Sequence, residues 1–254
     1  MVYPSIRLLH ITDPHLHAHP DSRMRGLNTY ETFCTVIKQA SNDGPAPDAI
    51  LATGDLVQDE TREGYMRFRE VLESLNTPVY CLPGNHDAPN IMAETLDTEP
   101  FHYCGSATFG NWCIVLLNSA CRLDDGGRLS EDELERLEIT LKNTSADHAL
   151  VCLHHHPVKM GSLWLDGVGL RNHEEFFAVV DNQPKVRSVL WGHVHQASDH
   201  TRKNVRLLSS PSTCSQFQPN SDSFVLDSRP PAYRWLNLNA DGNIDTEISW
   251  IQNI

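Results

Sequence analysis

The sequence contains no run of 18 consecutive apolar residues, so no segment of it is predicted to span a membrane. The N-terminal stretch meets charge after a few apolar residues and offers no small-residue cleavage site, which argues against a signal peptide. Positive charge is also scarce, because 20 Lys and Arg stand against 33 Asp and Glu, a net charge of −13. Since phosphates would be repelled overall, this balance disfavours binding to nucleic acid or to an anionic membrane.

The seven cysteines are odd in number and never form a C-x-x-C pair. This usage favours reduced, mostly buried thiols and predicts a cytoplasmic protein, because disulfides persist mainly in oxidising compartments. Internal repeats, low-complexity linkers and long charge runs are also missing. We therefore expect one domain over residues 1–254, a length that allows a sizeable core.

Short runs rich in Ile, Val and Leu alternate with stretches of helical periodicity. Continuous apolar runs of about five residues are typical of strands covered on both faces, and they occur at 6–12, 49–53, 79–82, 114–118, 149–153 and 188–191. Helices are predicted to begin at Asn28 and Ser130 and to cover 61–74 and 172–180. This alternation predicts an α/β fold.

The chain changes character from about residue 205. Short runs at 207–209, 223–227, 234–238 and 247–251 are predicted to be strands joined by polar turns, with 239–242 as a hairpin loop. We expect these strands to be antiparallel and to belong to the same domain as the preceding ones.

Five of the predicted strands run directly, or within two residues, into dense polar clusters. The clusters are Asp13-Pro14-His15, Gly54-Asp55, Asn85-His86-Asp87, His154-His155-His156 and Gly192-His193-Val194-His195. Because ligands of α/β sheets bind beyond the carboxyl ends of the strands, we expect these side chains to converge on one site. Carboxylates and neutral imidazoles together suit divalent ions such as Mn, Fe and Zn.

Spacing within the clusters also favours chelation. On extended backbone, residues i and i+2 point to the same side, so Asp13 with His15 and His193 with His195 could each hold a common ion. The proline at position 14 is expected to keep Asp13 extended. Glycines at positions 54, 84 and 192 would let the backbone turn close to the ions. Two ions about 3.5–4 Å apart would suit in-line displacement at phosphorus.

The motifs D-P-H, G-D, G-N-H-D, H-H-H-P and G-H-V-H, in this order, resemble those of the calcineurin-like metallophosphoesterase superfamily. Within it, the stretches 11–13, 52–56, 82–87, 164–166, 170–172 and 211–217 are most similar to the bacterial class III 3′,5′-cyclic AMP phosphodiesterases. The resemblance runs from about residue 6 to the C-terminal hairpin. It implies a four-layer α/β/β/α sandwich with two central mixed sheets.

The resemblance also implies a role for each cluster. One divalent ion would be held by Asp13, His15 and His195, the other by Asn85, His154 and His193, with Asp55 bridging. The triple histidine leaves His155 open as the ligand in place of His154. The implied ions are Fe, Mn or both, with Zn, Mg and Co as alternatives.

The implied reaction is hydrolysis of 3′,5′-cyclic AMP to 5′-AMP by in-line attack of metal-bound hydroxide, which would limit cyclic AMP signalling. His86 would be the catalytic acid that protonates the leaving O3′. The substrate would contact His15, Asp55, Asn85, His86 and His195. Two divalent ions would outweigh the charges of Asp13 and Asp55 and so attract a phosphate to an acidic chain.

Other functions would use some of the same residues. A metallophosphoesterase acting on a 2′,3′-cyclic nucleotide, a glycerophosphodiester or a nucleotide monoester would share the metal motif. A non-catalytic module of this fold should lack several ligands, and a nuclease should carry a Lys/Arg track; this sequence shows neither feature. We expect a small cyclic nucleotide as partner, no nucleic acid or membrane partner, and a monomer or homodimer.

Three predictions concern residues beside the motifs. His10, in the middle of a strand, is expected to be a packed core residue, and Asp87 a structural partner of its loop. The pairs 171–172 and 216–217 are predicted either to contact the phosphate or base of a substrate, or only to pack in turns.

Overall fold

Two six-stranded mixed sheets lie at the centre of the protein, in a computed structural model that describes residues 3–121 and 125–252. In chain order the strands are β1 (Ile6–Ile11), β2 (Arg23–Met24), β3 (Leu27–Asn28), β4 (Ala49–Thr53), β5 (Val79–Leu82), β6 (Phe101–Tyr103), β7 (Gly105–Phe109), β8 (Trp112–Leu116), β9 (His148–Leu153), β10 (Val186–Trp191), β11 (Ser198–Arg202), β12 (Val205–Ser209), β13 (Gln216–Phe217), β14 (Leu226–Asp227), β15 (Ala232–Leu238) and β16 (Ile244–Trp250). Residues 1–2 of the stretch assessed for a signal peptide lie outside this description.

The first sheet has the strand order β16-β15-β1-β4-β5-β6, and the second has the order β11-β12-β10-β9-β8-β7. Strands β1, β4, β5 and β6 are parallel, and β15 joins β1 in the antiparallel sense. Strands β8, β9, β10 and β12 are likewise parallel, with antiparallel β7 and β11 at the edges. All six strands predicted from apolar runs are confirmed, with ends shifted by up to two residues.

Within the described ranges, six helices cover the sheets: α1 (Thr29–Asn42), α2 (Arg62–Glu73), α3 (Pro89–Leu96), α4 (Glu131–Asn143), α5 (Leu163–Asp166) and α6 (His173–Asp181). The predicted starts of α1 and α4 are confirmed by their caps, because Asn28 and Ser130 accept the N–H groups of Glu31 and Glu133 through their side chains. Among the described residues, no helix combines the length and the apolar character needed to cross a membrane.

Three apolar clusters arrange these elements in four layers. One cluster joins the first sheet to α1, α2 and α3, a second joins the other sheet to α4, α5 and α6, and the third lies between the two sheets. Adjacent residues of β1 therefore both pack in a core, Leu8 between the sheets and Leu9 against the helices. This explains why the strands read as continuous apolar runs. The predicted four-layer α/β/β/α sandwich is confirmed.

The C-terminal strands are antiparallel only in part. Strands β15 and β16 form the expected hairpin around 239–243. The run at 207–209 belongs to β12, which is antiparallel to β11 but parallel to β10, so the antiparallel prediction is wrong for its inner neighbour. The reason is the edge strand β11 (Ser198–Arg202), which was not predicted because it is polar and lacks apolar alternation. It forms a hairpin with β12, so β12 runs in the same direction as β10.

The aromatic cluster under α2 offers a test of the first helical layer. Phe68 is fully buried, and its ring lies 5.5 Å from Phe33 and 6.3 Å from Phe101 between centroids. Phe68→Ala should lower the free energy of unfolding by about 3–5 kcal/mol, because it leaves a cavity in a packed core. Met66→Ala, at an exposed position of the same helix, should change it by less than about 0.5 kcal/mol. Urea unfolding followed by circular dichroism measures both, and equal effects would contradict this packing.

Candidate metal centre and active site

Five of the clustered side chains extend from residues in left-handed backbone conformation. The φ angles are 54° for Asp13, 48° for His15, 51° for Asp55, 65° for His193 and 47° for His195. Such conformations cost non-glycine residues of order 1–3 kcal/mol each and persist only where surrounding contacts enforce them. Their concentration at the strand ends marks this region as the candidate functional site.

The extended backbone expected at Asp13 is therefore wrong. The N–H groups of Asp13 and His15 donate to the carbonyls of Gly54 and Asp55, both at 3.0 Å. These two bonds hold the loop after β1 against the loop after β4. Consequently the side chains converge through turn geometry enforced by a neighbouring loop, and not through alternation along an extended strand.

Asp13, His15 and His195 form the first group of potential ligands. His195 Nε2 lies 3.2 Å from Asp13 Oδ1 and 3.2 Å from His15 Nε2. Nδ1 of His195 donates to the Ser215 carbonyl at 2.6 Å, and Nδ1 of His15 donates to Gln58 Oε1 at 2.8 Å. Because each neutral ring then keeps its proton on Nδ1, both Nε2 atoms present lone pairs. One ion could be bound by these atoms.

His154, Asn85 and His193 form the second group. His154 Nδ1 donates to the Thr53 carbonyl at 2.7 Å, and its Nε2 lies 3.2 Å from Asn85 Oδ1. His193 Nε2 is buried and has no hydrogen-bond partner among the described residues. An unsatisfied buried nitrogen costs about 1–3 kcal/mol, which a bound ion would offset.

Asp55 lies between the two groups. Its Oδ2 is 3.8 Å from His15 Nε2 and 3.4 Å from His154 Nε2, while its Oδ1 accepts the His86 N–H at 2.9 Å. A Cβ atom on Gly84 would come within 2.1 Å of that Oδ1, so only glycine allows the loop after β5 to approach so closely. The carboxylate is placed where a ligand shared by two ions would be.

Opposite charges keep the buried carboxylates ionised. Burial alone would raise the pKa of Asp13 and of Asp55, but the imidazoles of His195 and His154 respectively hold both values below the usual range. Burial also places the pKa of His193 well below its ordinary value. For His154 the charge of Asp55 overcomes burial and raises the pKa to about 9. Ion binding would therefore release a proton from His154.

The donor set fits two divalent ions. Among the described residues, four overlapping groups of three side chains each bring their ligand atoms within 4.8 Å of one another. Mixed carboxylate and imidazole donors suit Mn, Fe and Zn. The residues in these groups are Asp13, His15, Asp55, His86, His154, His155, His193 and His195.

His155 and His156 have different contacts from those of His154. His155 shares a bond of 2.8 Å with the Ser119 hydroxyl through Nδ1, and neither ring nitrogen of His156 has a partner among the described residues. The His155 ring centroid lies 4.8 Å from that of His193, so His155 also belongs to one of the potential ligand groups. The contact with Asn85 favours His154 as the ligand, which stays a prediction.

Asp87 organises the loops that carry the ligands. Its carboxylate accepts the N–H groups of Leu56 and Val57 at 3.1 Å, the Gly84 N–H at 2.9 Å and the Tyr65 hydroxyl at 3.0 Å. Burial raises the pKa of Asp87 to about 6. It thus joins the loops after β4 and β5, the structural role expected of it.

A directed chain of hydrogen bonds reaches Asp13 from the core between the sheets. His10 is buried as predicted, and its ring nitrogens bond the hydroxyls of Ser210 at 2.6 Å and Thr53 at 2.7 Å. The Thr53 hydroxyl donates to the Thr12 hydroxyl at 2.9 Å, and Thr12 donates to Asp13 Oδ2 at 2.6 Å. This chain orients the carboxylate, as partners of metal ligands commonly do.

A cavity of about 160 Å³ opens onto the ligands. Five predicted substrate contacts line it: His15, Asp55, Asn85, His86 and His195. The other wall includes Arg25, Trp164, Phe217 and Phe224. Of these four residues, the sequence predicted a substrate contact only for Phe217, with packing in a turn as the alternative. No local pattern predicts that these residues meet, because they come from a short helix and two hairpins far apart in the chain.

The pairs 171–172 and 216–217 divide between packing and the cavity. Asn172 bonds both the N–H and the carbonyl of Leu129, and Gln216 does the same with Ser212. These two amides therefore stabilise turns. Phe217 lines the cavity.

The four-layer sandwich and its cluster of carboxylates and imidazoles define a metallophosphoesterase. The family model described as Calcineurin-like phosphoesterase matches residues 6–197, and the chain belongs to this family. A dimetal phosphatase from Danio rerio has a similar fold, with a TM-score of 0.68 and 14% identity over 97% of this chain and 99% of that one.

Curated relatives match almost the whole chain. A protein of Haemophilus influenzae named 3′,5′-cyclic adenosine monophosphate phosphodiesterase CpdA is 39% identical over 250 residues, 98% of this chain and 91% of the relative. Its Escherichia coli K12 namesake is also 39% identical, over 96% of this chain and 89% of the relative. A 3′,5′-cyclic-nucleotide phosphodiesterase of Nostoc sp. is 40% identical over 96% of this chain and 91% of its own length.

The contrast between His154 and His155 gives a direct test of the second ligand group. His154→Ala should bind about one ion fewer per chain than the wild type, because its Nε2 lies beside both Asn85 and Asp55. His155→Ala should keep the wild-type metal content. Inductively coupled plasma mass spectrometry of the purified proteins measures both. The reverse pattern would assign the ligand to His155.

Proposed function

We propose that the protein is a dinuclear-metal phosphodiesterase that hydrolyses 3′,5′-cyclic AMP to 5′-AMP and thereby limits cyclic AMP signalling. The observation that carries the proposal is the convergence of two ligand groups on Asp55 inside a cavity. The choice of substrate is supported by relatives at 39% identity whose names state this activity. The proposed ligands are Asp13, His15 and His195 for one ion, Asn85, His154 and His193 for the other, with Asp55 bridging.

Fe, Mn or both are the proposed ions, with Zn, Mg and Co as alternatives, since the donors combine carboxylate, amide and imidazole. When bound, such ions stabilise charge on a phosphate and acidify water. The chain itself keeps the carboxylates ionised and His193 unprotonated, whereas His154, whose pKa Asp55 raises, would lose a proton to a bound ion.

Gln58 sets the protonation of two rings at the cavity. Its Oε1 accepts from His15 Nδ1 at 2.8 Å, and its Nε2 donates to His86 Nδ1 at 3.0 Å. An amide has one accepting and one donating end, so neutral His15 presents a lone pair at Nε2, while neutral His86 carries its proton there. His86 therefore presents an N–H at Nε2 to the cavity. Protonated to imidazolium, it would give that proton to the leaving O3′ and return to the neutral ring, the role of a general acid.

The same proposal covers the setting in which the enzyme works. The thiols of all seven cysteines are free, which supports a reducing compartment such as the cytoplasm. We propose a small cyclic nucleotide as the partner, without nucleic acid or membrane, and a monomer or homodimer as the working form.

The proposed substrate is tested with a panel. The purified protein, with its metal content measured and Mn or Fe added where depleted, should hydrolyse 3′,5′-cyclic AMP to 5′-AMP in preference to 2′,3′-cyclic AMP. Products are resolved by liquid chromatography, with bis(p-nitrophenyl) phosphate reporting the general diesterase chemistry. If only the artificial diester is hydrolysed, the protein would still be a metallophosphoesterase, but cyclic AMP would not be its substrate.

The acid role of His86 predicts a dependence on the leaving group. His86→Ala should lower kcat for cyclic AMP by about 10²–10⁴-fold with metal content retained, the range typical of a general acid. The loss should be much smaller for bis(p-nitrophenyl) phosphate, whose leaving group needs no proton. Gln58→Leu should show the same selectivity in weaker form. His200→Ala, at an exposed position, is the control; equal losses on both substrates would contradict the acid role.

A further inference from the structure

Three aromatic rings form a cluster in the wall of the metal-centre cavity. Trp164, Phe217 and Phe224 lie edge to face, with 5.2 Å between the centroids of each pair. All three line the same cavity as the potential metal ligands. They come from separate elements: Trp164 from α5, Phe217 from β13, and Phe224 from the turn between β13 and β14.

One ring of the cluster is already used by the protein itself. Phe217 stacks on the His195 imidazole, with 3.9 Å between centroids and 7° between planes, and is only 7% exposed. Its contact supports a potential metal ligand. The rings left for a ligand are therefore Trp164, which is half-buried, and Phe224, which is 40% exposed.

Trp164 has an unbonded polar atom and Phe224 has exposed apolar surface, and a ligand could contact both. The indole nitrogen of Trp164 is buried and lacks a hydrogen-bond partner among the described residues. Phe224 lines the cavity and is followed in the chain by two more exposed apolar residues, Val225 and Leu226, each 43% exposed. A contiguous exposed apolar surface at a cavity indicates a binding site.

Arg25 brings positive charge to the same wall. It occupies the turn of the β2–β3 hairpin with a φ of 52°, and its guanidinium carbon lies 4.1 Å from the centroid of the Phe224 ring. Burial lowers the pKa of Arg25. The guanidinium adds five N–H donors to an aromatic wall, a combination suited to a flat ring with acceptor nitrogens.

We propose that Trp164, Phe224 and Arg25 form the subsite for the purine base of the nucleotide, a proposal that rests on the proposed function and deepens it. In a 3′,5′-cyclic nucleotide the phosphate closes a ring that is fused to the ribose, and the base is attached to the same rigid ring system. A base subsite must therefore adjoin the phosphate site, and this wall shares a cavity with the ligands. The base stacks on the exposed ring and accepts hydrogen bonds from the basic side chain.

The test compares 5′-AMP with ribose 5-phosphate, which differ only in the base. Isothermal titration calorimetry on the metal-loaded protein should show 5′-AMP binding at least tenfold more tightly than ribose 5-phosphate. Phe224→Ala and Trp164→Leu should each weaken 5′-AMP binding by roughly tenfold, within the range seen when a base-stacking ring is removed, and leave ribose 5-phosphate unchanged. Their KM for cyclic AMP should rise in parallel.

Leu163→Ala is the matched control, since this exposed side chain is next to Trp164 in the chain but outside the cavity lining. It should bind both ligands as the wild type does. Phe224→Ala removes an exposed ring, so it tests the proposal even where Trp164→Leu fails to fold.

Equal affinity of the wild type for 5′-AMP and ribose 5-phosphate would overturn the subsite. So would an equal loss for both ligands in Phe224→Ala, which would indicate a structural role. If the wild type discriminates between the two but does not hydrolyse cyclic AMP, the subsite stands and the proposed substrate falls. The two proposals can thus fail separately.

Discussion

The structure depends on the burial of two carboxylates, Asp13 and Asp55, in one small region among histidines. Burial disfavours both negative charges, and imidazoles within about 3–4 Å hold the two pKa values low. The loops that carry them adopt left-handed conformations that few residues tolerate. Such an arrangement survives because rigid strands and cross-loop hydrogen bonds leave the backbone no alternative, and bound ions would complete the compensation of charge.

The residues that contact the proposed ligands hold them in place in three different ways. Asp87 collects four N–H and hydroxyl donors and keeps two loops together. A hydrogen-bond chain from His10 through the hydroxyls of Thr53 and Thr12 orients Oδ2 of Asp13. The Gln58 amide bonds Nδ1 of both His15 and His86, accepting from the first and donating to the second. Nε2 therefore carries a lone pair in neutral His15 and a proton in neutral His86. A site that leaves so few polar atoms free to rotate is organised before any substrate arrives.

The two walls of the cavity follow different physical rules. The ligand wall is polar, buried and built at the carboxyl ends of strands, where parallel topology brings distant residues together. The aromatic wall is built from a short helix and two hairpins, and part of it remains exposed. The proposed phosphorus chemistry uses only the first wall. Discrimination among phosphoesters is the role proposed for the second wall, which lines the same cavity as the ligands.

Sequence alone determined the α/β alternation, six central strands and the caps at Asn28 and Ser130, because apolar runs and capping residues are local signals. The ordered motifs indicated a metallophosphoesterase family, and it was this resemblance that implied the α/β/β/α sandwich. The ligand roles assigned to His154 and the other cluster residues stay predictions that the geometry supports. Tertiary structure decided the left-handed turn at Asp13, the parallel setting of β12, the proton-directing amide of Gln58 and the aromatic wall around Phe224. Each of these depends on contacts between segments far apart in the chain, which no window of sequence contains.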